Sequence, residues 1–371
     1  MDFDLSDDQV ALRDGARELL DRLASPTQVR VVVDAGGGHD AALWGAMCEQ
    51  GWPVVAYPEA DGGLGLGTVE IVALLEAVGG HAAPAPFAST VLALDALAAG
   101  GAAEPAGRLT RGGIGCVAWS RSVDAVRAEP VGESPVGESP VGQRWALTGR
   151  PDPTPYAPSA QIAVVVAATD EGPGLFAIDL DAAGRPERES AMDRTRELGW
   201  LHLEATPAVR LGGAEAVERV VDHGAVAACA EMLGGALHVL DLSVEYAKDR
   251  VQFGRPIGSF QAVKHRCADM LVDVEGMRST TYWAAWCLAA DDPEASIAAS
   301  TAKVWCTDAS KRVMASALQV HGGIGFTWEH DLHLFLKRAQ LDQLSFGDAS
   351  FHRERLAALL RPRVEAGESI I

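Results

Sequence analysis

The sequence predicts an α+β multidomain protein, with an N-terminal helical domain over residues 1–107, a middle β-domain over 108–212 and a helical bundle over 213–371. Three observations predict it. Apolar residues recur at helical spacing in the N-terminal third and again, in longer stretches, after residue 213. Between those regions the chain breaks into short β-like runs separated by Gly, Pro and Asp. The composition, 48% hydrophobic and 22% charged over 371 residues, is that of a folded chain with apolar material for more than one core, and it excludes disorder.

The first helix begins after Ser6. Ser6 and Gln9 have capping-box spacing, Asp7 and Asp8 suit the positive end of the helix dipole, and Val10, Leu12, Leu19 and Leu20 supply the apolar positions of about five turns. The stretch YPEADGGLGLGTVEIVALLEAVGG then runs from a glycine-rich loop into a second helix, with Thr68 as its expected cap and Ile71, Leu74 and Leu75 on one side. QIAVVVAA (161–168) and GLFAIDL (174–180) read as strands. The repeat PVGESPVGESPVGQ (130–143) has Pro and Gly in every unit and too little apolar content to pack, so it reads as an exposed, mobile hairpin extension with no chemical role. Farther on, Val226, Leu233, Leu237, Leu240 and Val244 form one helical stripe, and Val263, Cys267, Met270, Val274 and Met277 form another. Gly254, Pro256 and Gly258 break the chain between them, and Ser259 is placed to cap the second helix. A third long helix, about 293–320, is rich in Ala, Ser and Thr and suits close packing in an antiparallel bundle.

Charge and cysteine content narrow the function. The 31 Lys+Arg against 51 Asp+Glu give a net charge of −20, which disfavours nucleic acid as a partner. No uninterrupted apolar run has the length of a membrane span, and the acidic start MDFDLSDDQ is unlike a signal peptide, so a cytoplasmic location is expected. The six cysteines lack CxxC or metal-ligand spacing and read as free thiols, with no metal site.

Two places in the C-terminal half could hold a ligand. Arg250-x-x-Phe253-Gly254, followed by Gln261, combines a cation, a flat ring and an amide that together suit a phosphate and a planar heterocycle. The alternative is an arginine bound to the last carbonyls of its own helix. Gln319-Val-His-Gly322-Gly323-Ile-Gly325 would let a ligand approach the backbone closely, although a glycine cluster after a helix also serves as a simple terminator.

Together, PEADGGLGLG, YAKDRVQFGRPIGSFQAVKHRCADM, QVHGGIGF and LKRAQLDQLSFGDASFHRERLA resemble the acyl-CoA dehydrogenase family, from near residue 1 to about 360. The resemblance implies an α-helical N-domain, a β-barrel-like middle domain and a C-terminal four-helix bundle. It also implies a dimer or a dimer of dimers with FAD between subunits, an acyl-CoA thioester as substrate and an electron-accepting flavoprotein as partner. It assigns Arg250, Phe253, Gln261, Gln319, Gly322 and Gly323 to the ADP half of FAD.

The sequence departs from the family where the chemistry is done. The reaction needs a base for the α-proton while the β-hydride leaves for the flavin, and a carboxylate poised near neutral pH meets that need. Anchoring on Gly347 puts Phe346 at the place of the family's glutamate. His223, at the level where some relatives carry the base, and Asp348 are the weak alternatives. The flavin-contacting segments of the middle domain, aligned with VAWSRSVDA (117–125) and LTGRPDPTPYAPSA (147–160), also lose the family pattern, leaving Ser120 and Thr154 as poor stand-ins. An intact ADP half beside a degraded flavin half resembles the non-catalytic chain of heteromeric α2β2 acyl-CoA dehydrogenases of actinobacteria, several of which act on CoA-linked steroid side chains. The expectation is therefore a subunit that completes the FAD site of a paralogous catalytic chain acting on a bulky or steroid-like acyl-CoA. A homomeric enzyme using Asp348 or His223 is the first alternative, and a non-enzymatic FAD- or CoA-binding interaction protein the second.

Overall fold

The structure is a computed structural model that describes residues 5–132 and 144–367. Helices α1 (Asp7–Leu23), α2 (Pro26–Asp34), α3 (Ala41–Glu49), α4 (Thr68–Gly80), α5 (Phe87–Ala99) and α6 (Ala103–Thr110) come first. Strands β1 (Gly115–Ala118), β2 (Val126–Pro130), β3 (Arg144–Gly149), β4 (Thr154–Pro155), β5 (Ile162–Thr169) and β6 (Gly172–Asp179) follow, then the short α7 (Leu180–Ala183), β7 (Leu198–Gly199) and β8 (Leu203–Gly212). The rest is α8 (Ala214–Asp249), a small hairpin of β9 (Val251–Gln252) and β10 (Arg255–Pro256), α9 (Gln261–Ala289), α10 (Ala295–His321), α11 (Leu332–Leu344) and α12 (Ala349–Glu365).

Local signals act where the sequence puts them, with two exceptions. Ser6 accepts from the Gln9 amide at 3.3 Å and Gln9 Oε1 accepts from the Ser6 amide at 3.0 Å, so the capping box forms. Thr68 does not cap α4. Gly67 holds that place, and the Glu70 carboxylate accepts the Gly67 amide at 2.8 Å, so the side chain three residues in does the work. Ser259 does not cap α9 either. Its hydroxyl donates to the Pro256 carbonyl at 2.7 Å within a tight turn, and Phe260 is the cap residue.

The chain forms two compact units. One comprises Val31–Leu66 and Pro84–Gly224. Its six-stranded sheet runs β1-β5-β2-β3-β8-β6, and β6 pairs back onto β5, closing a barrel-like ring. All eight residues of β5 are buried, as the unbroken apolar run Ile162–Thr169 requires of a strand covered on both faces. β2 and β3 are antiparallel neighbours with Pro130 opposite Trp145, so the pentapeptide repeat joins them. The expected hairpin extension falls on residues 133–143, outside the described residues.

The other unit comprises Met1–Arg30, Gly67–Ala83 and Ala225–Ile371. Here α4 and the second part of α8 cross so closely that only glycine fits: a Cβ on Gly79 would lie 2.1 Å from the Glu231 carbonyl oxygen, and one on Gly234 would lie 1.8 Å from that of Glu76. The flanking carboxylates are buried and paired. Glu76 accepts from Tyr282 at 2.8 Å and from Arg17 at 3.2 Å, linking α4 to α9 and α1. Glu231 pairs with Arg338 at 3.1 Å, and Arg338 also donates to the carbonyl of Ala83, linking α8, α11 and the end of α4. The helix Ala214–Asp249 is long and apolar enough to cross a membrane by length and composition, but 78% of its most apolar window is buried within the fold, as in a core helix.

The crossing yields a contrast. Gly79→Ala or Gly234→Ala should lower unfolding free energy by about 2 kcal/mol or more, because backbone atoms cannot move aside. Gly15→Ala, on the outer face of α1 with nothing within 4 Å of the new Cβ, should raise it by about 0.5–1 kcal/mol. Urea unfolding midpoints measure both.

Candidate functional site

The end of α8 and the start of α9 are joined by a very short hairpin. Gln252 pairs with Arg255, leaving Phe253 and Gly254 as a two-residue turn with φ of 54° and 79°. Left-handed backbone at both central positions is the type I′ geometry, which suits Gly254 and strains Phe253. The Phe253 ring is 92% exposed and touches Phe260 edge-on, centroids 6.0 Å apart, while the Arg255 guanidinium lies over Phe260 at 4.2 Å. A large apolar ring displayed at a backbone cost points to a use outside this unit's own core. Arg250 directly follows α8; its carbonyl accepts the Ile257 amide at 2.7 Å, and among the described residues its exposed guanidinium has no partner. The arrangement in which Arg250 binds its own helix end is therefore not the one adopted. Gln261 opens α9 with its side chain in solvent.

Gln319 is exposed in the last turn of α10, and Gly322 leaves the helix with φ 62°. A Cβ at Gly322 or Gly323 would meet nothing within 4 Å, so this backbone presents an open face. The two motifs meet through residues that were not singled out within them. The His321 ring stacks on Tyr246, near the end of α8, with centroids 4.6 Å apart and 26° between planes. An unpaired cation, an open glycine turn and an exposed aromatic ring are the donor set that a phosphate-linked planar group such as FAD needs. The sequence reading missed Tyr246 and His321. Their only local signal is an aromatic residue four positions before Arg250 and another just before Gly322.

The turn between α11 and α12 is held from several sides. Lys303 of α10, fully buried, donates to the carbonyls of Asp342 at 2.6 Å and Gln343 at 3.3 Å. Burial pushes its pKa down. Gln343 donates to the Ser310 hydroxyl at 2.9 Å. His352, wholly buried, sits 2.9 Å from the Phe346 carbonyl through Nε2 and 3.1 Å from the Ser300 hydroxyl through Nδ1. With the proton assigned to Nε2, it donates to Phe346 and accepts from Ser300. Phe346 adopts φ 53° and Gly347 φ 98°, and a Cβ on Gly347 would lie 2.3 Å from the Phe351 ring. The Asp348 carboxylate caps α12, accepting from the Phe351 amide at 2.8 Å. So the turn is firmly built, its first position carries no acid, and the adjacent carboxylate is engaged with backbone.

His223 lies in α8, half-buried beside buried Asp222. Ser120 accepts from the Asp152 amide at 2.7 Å and Thr154 donates to the Asp152 carbonyl at 3.1 Å, so both hydroxyls are engaged by the Asp152 backbone.

Comparison with known proteins identifies the lineage. The model for the acyl-CoA dehydrogenase N-terminal domain matches residues 6–109, and that for the acyl-CoA dehydrogenase C-terminal domain matches 212–360. Acyl-CoA dehydrogenase IpdE2 of Mycolicibacterium smegmatis is 33% identical over 356 residues, spanning 95% of this chain and 99% of the relative. The chain belongs to the acyl-CoA dehydrogenase family. Among solved members, a variant of the Tcur3481–Tcur3483 steroid ACAD superposes with a TM-score of 0.86 at 32% identity, covering 96% of this chain and 99% of that one. The ChsE4–ChsE5 complex from Mycobacterium tuberculosis superposes with a TM-score of 0.86 at 31% identity, covering 97% and 99%. This acyl-CoA dehydrogenase therefore has the family's helix, barrel and helix order in full, and an oxidoreductase lineage.

Asp348→Asn separates capping from catalysis. Asn caps as well as Asp, so stability should change by less than about 0.5 kcal/mol. Flavin reduction by acyl-CoA in the full assembly should stay within about twofold of the parent. A loss of about a hundredfold or more at unchanged stability would make Asp348 the base.

Proposed function

We propose that this chain is the base-lacking subunit of a heteromeric acyl-CoA dehydrogenase, completing the FAD site of a paralogous chain that carries the glutamate. The observation that carries this reading is the pairing of an open, unpartnered cradle at Arg250 and Gly322–Gly323 with a fully braced turn that has Phe346 where an acid is needed. Arg250 would neutralise the pyrophosphate, the Gly322 and Gly323 amides and the Gln261 and Gln319 side chains would donate or accept around the ADP moiety, and Phe253 would cover a flat ring. FAD, when bound, supplies the acceptor for the β-hydride. The α-proton goes to the partner's carboxylate, because neither Phe346 nor the capping Asp348 is placed to receive it. An electron-accepting flavoprotein reoxidises the assembly, an α2β2 heterotetramer, in the cytoplasm.

The substrate assigned is a bulky or steroid-like acyl-CoA. Support comes from likeness at 31–32% identity to one structure named a steroid ACAD and to another named as a complex of two different chains. A chain without its own base frees half of the acyl-binding positions of the assembly, and a large substrate is the use such room suits.

Co-expression with paralogues retaining the glutamate tests the assembly: the expected product is a complex with one FAD per pair of unlike chains. A homogeneous preparation of this chain alone, holding one FAD per subunit and bleaching it with acyl-CoA, would overturn the reading. Arg250→Ala should cost at least about tenfold in FAD affinity, the worth of a charge-assisted contact, without lowering stability, since this side chain is exposed. FAD content after gel filtration measures it.

A further inference from the structure

His321 is only 3% exposed, and its environment is unusual for a residue beside an open backbone turn. Nδ1 lies 2.9 Å from the Ala317 carbonyl and so carries the proton, leaving Nε2 as a bare acceptor, buried and without a partner among the described residues. One ring face lies on Tyr246, and His330 approaches with centroids 4.6 Å apart and planes at 65°. On the far side of the turn, Trp328 stacks on His333 at 4.4 Å, and Arg30 holds the same loop through Asp331 at 2.7 Å and the Trp328 carbonyl at 2.9 Å. The segment from Gly322 to Asp331 is thus pinned by aromatic rings at both ends and has few backbone bonds of its own.

We propose that His321 is a positioning residue for the nucleotide cradle: as a neutral ring it locks the Tyr246 end of α8, which carries Arg250, to the Gly322–Gly323 turn, and it releases the two when protonated. The inference rests on the FAD reading and deepens it, because it makes cofactor retention acid-sensitive. A stacked aromatic pair contributes enough to align two segments, and the Tyr246–His321 stack joins one helix end to the other.

The electrostatics run in one direction. Burial holds His321 below the ordinary imidazole value of 6.5; His330 adds to this and the Ala317 carbonyl opposes it. Burial likewise holds His330 and His333 down, with Arg30 pressing on both, Lys337 on His333, and Asp331 opposing in each case. A histidine with a lowered native value binds fewer protons folded than unfolded. Its arrangement is therefore fully stable above 6.5 and loses stability as pH falls below that value. Protonating His321 places a buried cation against His330 with no carboxylate on Nε2.

The test uses the FAD-loaded assembly and two readouts, FAD release and amide hydrogen exchange in segments 244–256 and 317–332, corrected for intrinsic rates. At about pH 8, His321→Ala should speed FAD release and exchange in both segments by about fivefold or more, whereas His321→Phe, which keeps the ring, should stay within about twofold. Between about pH 8 and pH 5.5 the parent should release FAD about tenfold faster, and His321→Phe less than about threefold faster, since the ring at position 321 no longer takes up a proton. The proposal is overturned if His321→Ala leaves both segments unchanged, or if His321→Phe keeps the parent's acid response. Full FAD retention in Arg250→Ala would instead remove the cofactor reading, and the exchange data would then decide alone whether His321 couples the two segments.

Discussion

One buried ammonium group organises the C-terminal helices. Lys303 leaves α10 and donates to the carbonyls of Asp342 and Gln343, among the last of α11, which have no partner within their own helix. These carbonyls are also the negative end of the α11 dipole, so the lysine meets a hydrogen-bonding and an electrostatic need in one place. Burying a charge is costly, and burial accordingly pushes the Lys303 pKa down. The cost is offset by these two bonds and by the nearby Asp342 carboxylate, whose charge opposes the shift.

From that anchor the neighbouring turn follows. Ser300, Lys303 and Ser310 lie along one side of α10: Ser300 holds His352 of α12, while Lys303 and Ser310 hold the backbone and the Gln343 side chain at the end of α11. His352 then reaches back to Phe346. Two consecutive helices, α11 and α12, are registered against α10 by polar contacts inside an apolar bundle, which favours one arrangement over the sliding that Ala-rich faces would permit.

How legible this was in the sequence depended on how local each cause is. The Ser6–Gln9 box was readable because both partners lie within one turn. The break after α8 was readable from Gly254 and Pro256, and the strand character of residues 161–168 from the apolar run. The cap of α4 was misread because a glycine took the cap position and the acceptor came from Glu70. The Gly79–Gly234 crossing was invisible: each glycine sits in an ordinary helical context, and only the approach of two distant segments explains them. The residues proposed to hold the nucleotide were singled out through motif likeness, but the Tyr246–His321 stack between their two segments has no local pattern to betray it. For Asp348, the sequence showed a carboxylate without showing that the Phe351 amide occupies it.

Phe346 holds a backbone shape that a residue with a Cβ does not choose by itself. That shape is imposed from outside, by His352 on its carbonyl and by the lysine-anchored helix before it. The identity of the side chain at this position is consequently decoupled from the geometry of the bend. On the proposed assignment of Phe346 to the place of the family's acid, the bend would survive that exchange, so a duplicated gene could lose the base without losing the fold. Specialisation between paralogues would then begin as a neutral event, and the scaffold would already be prepared for either outcome.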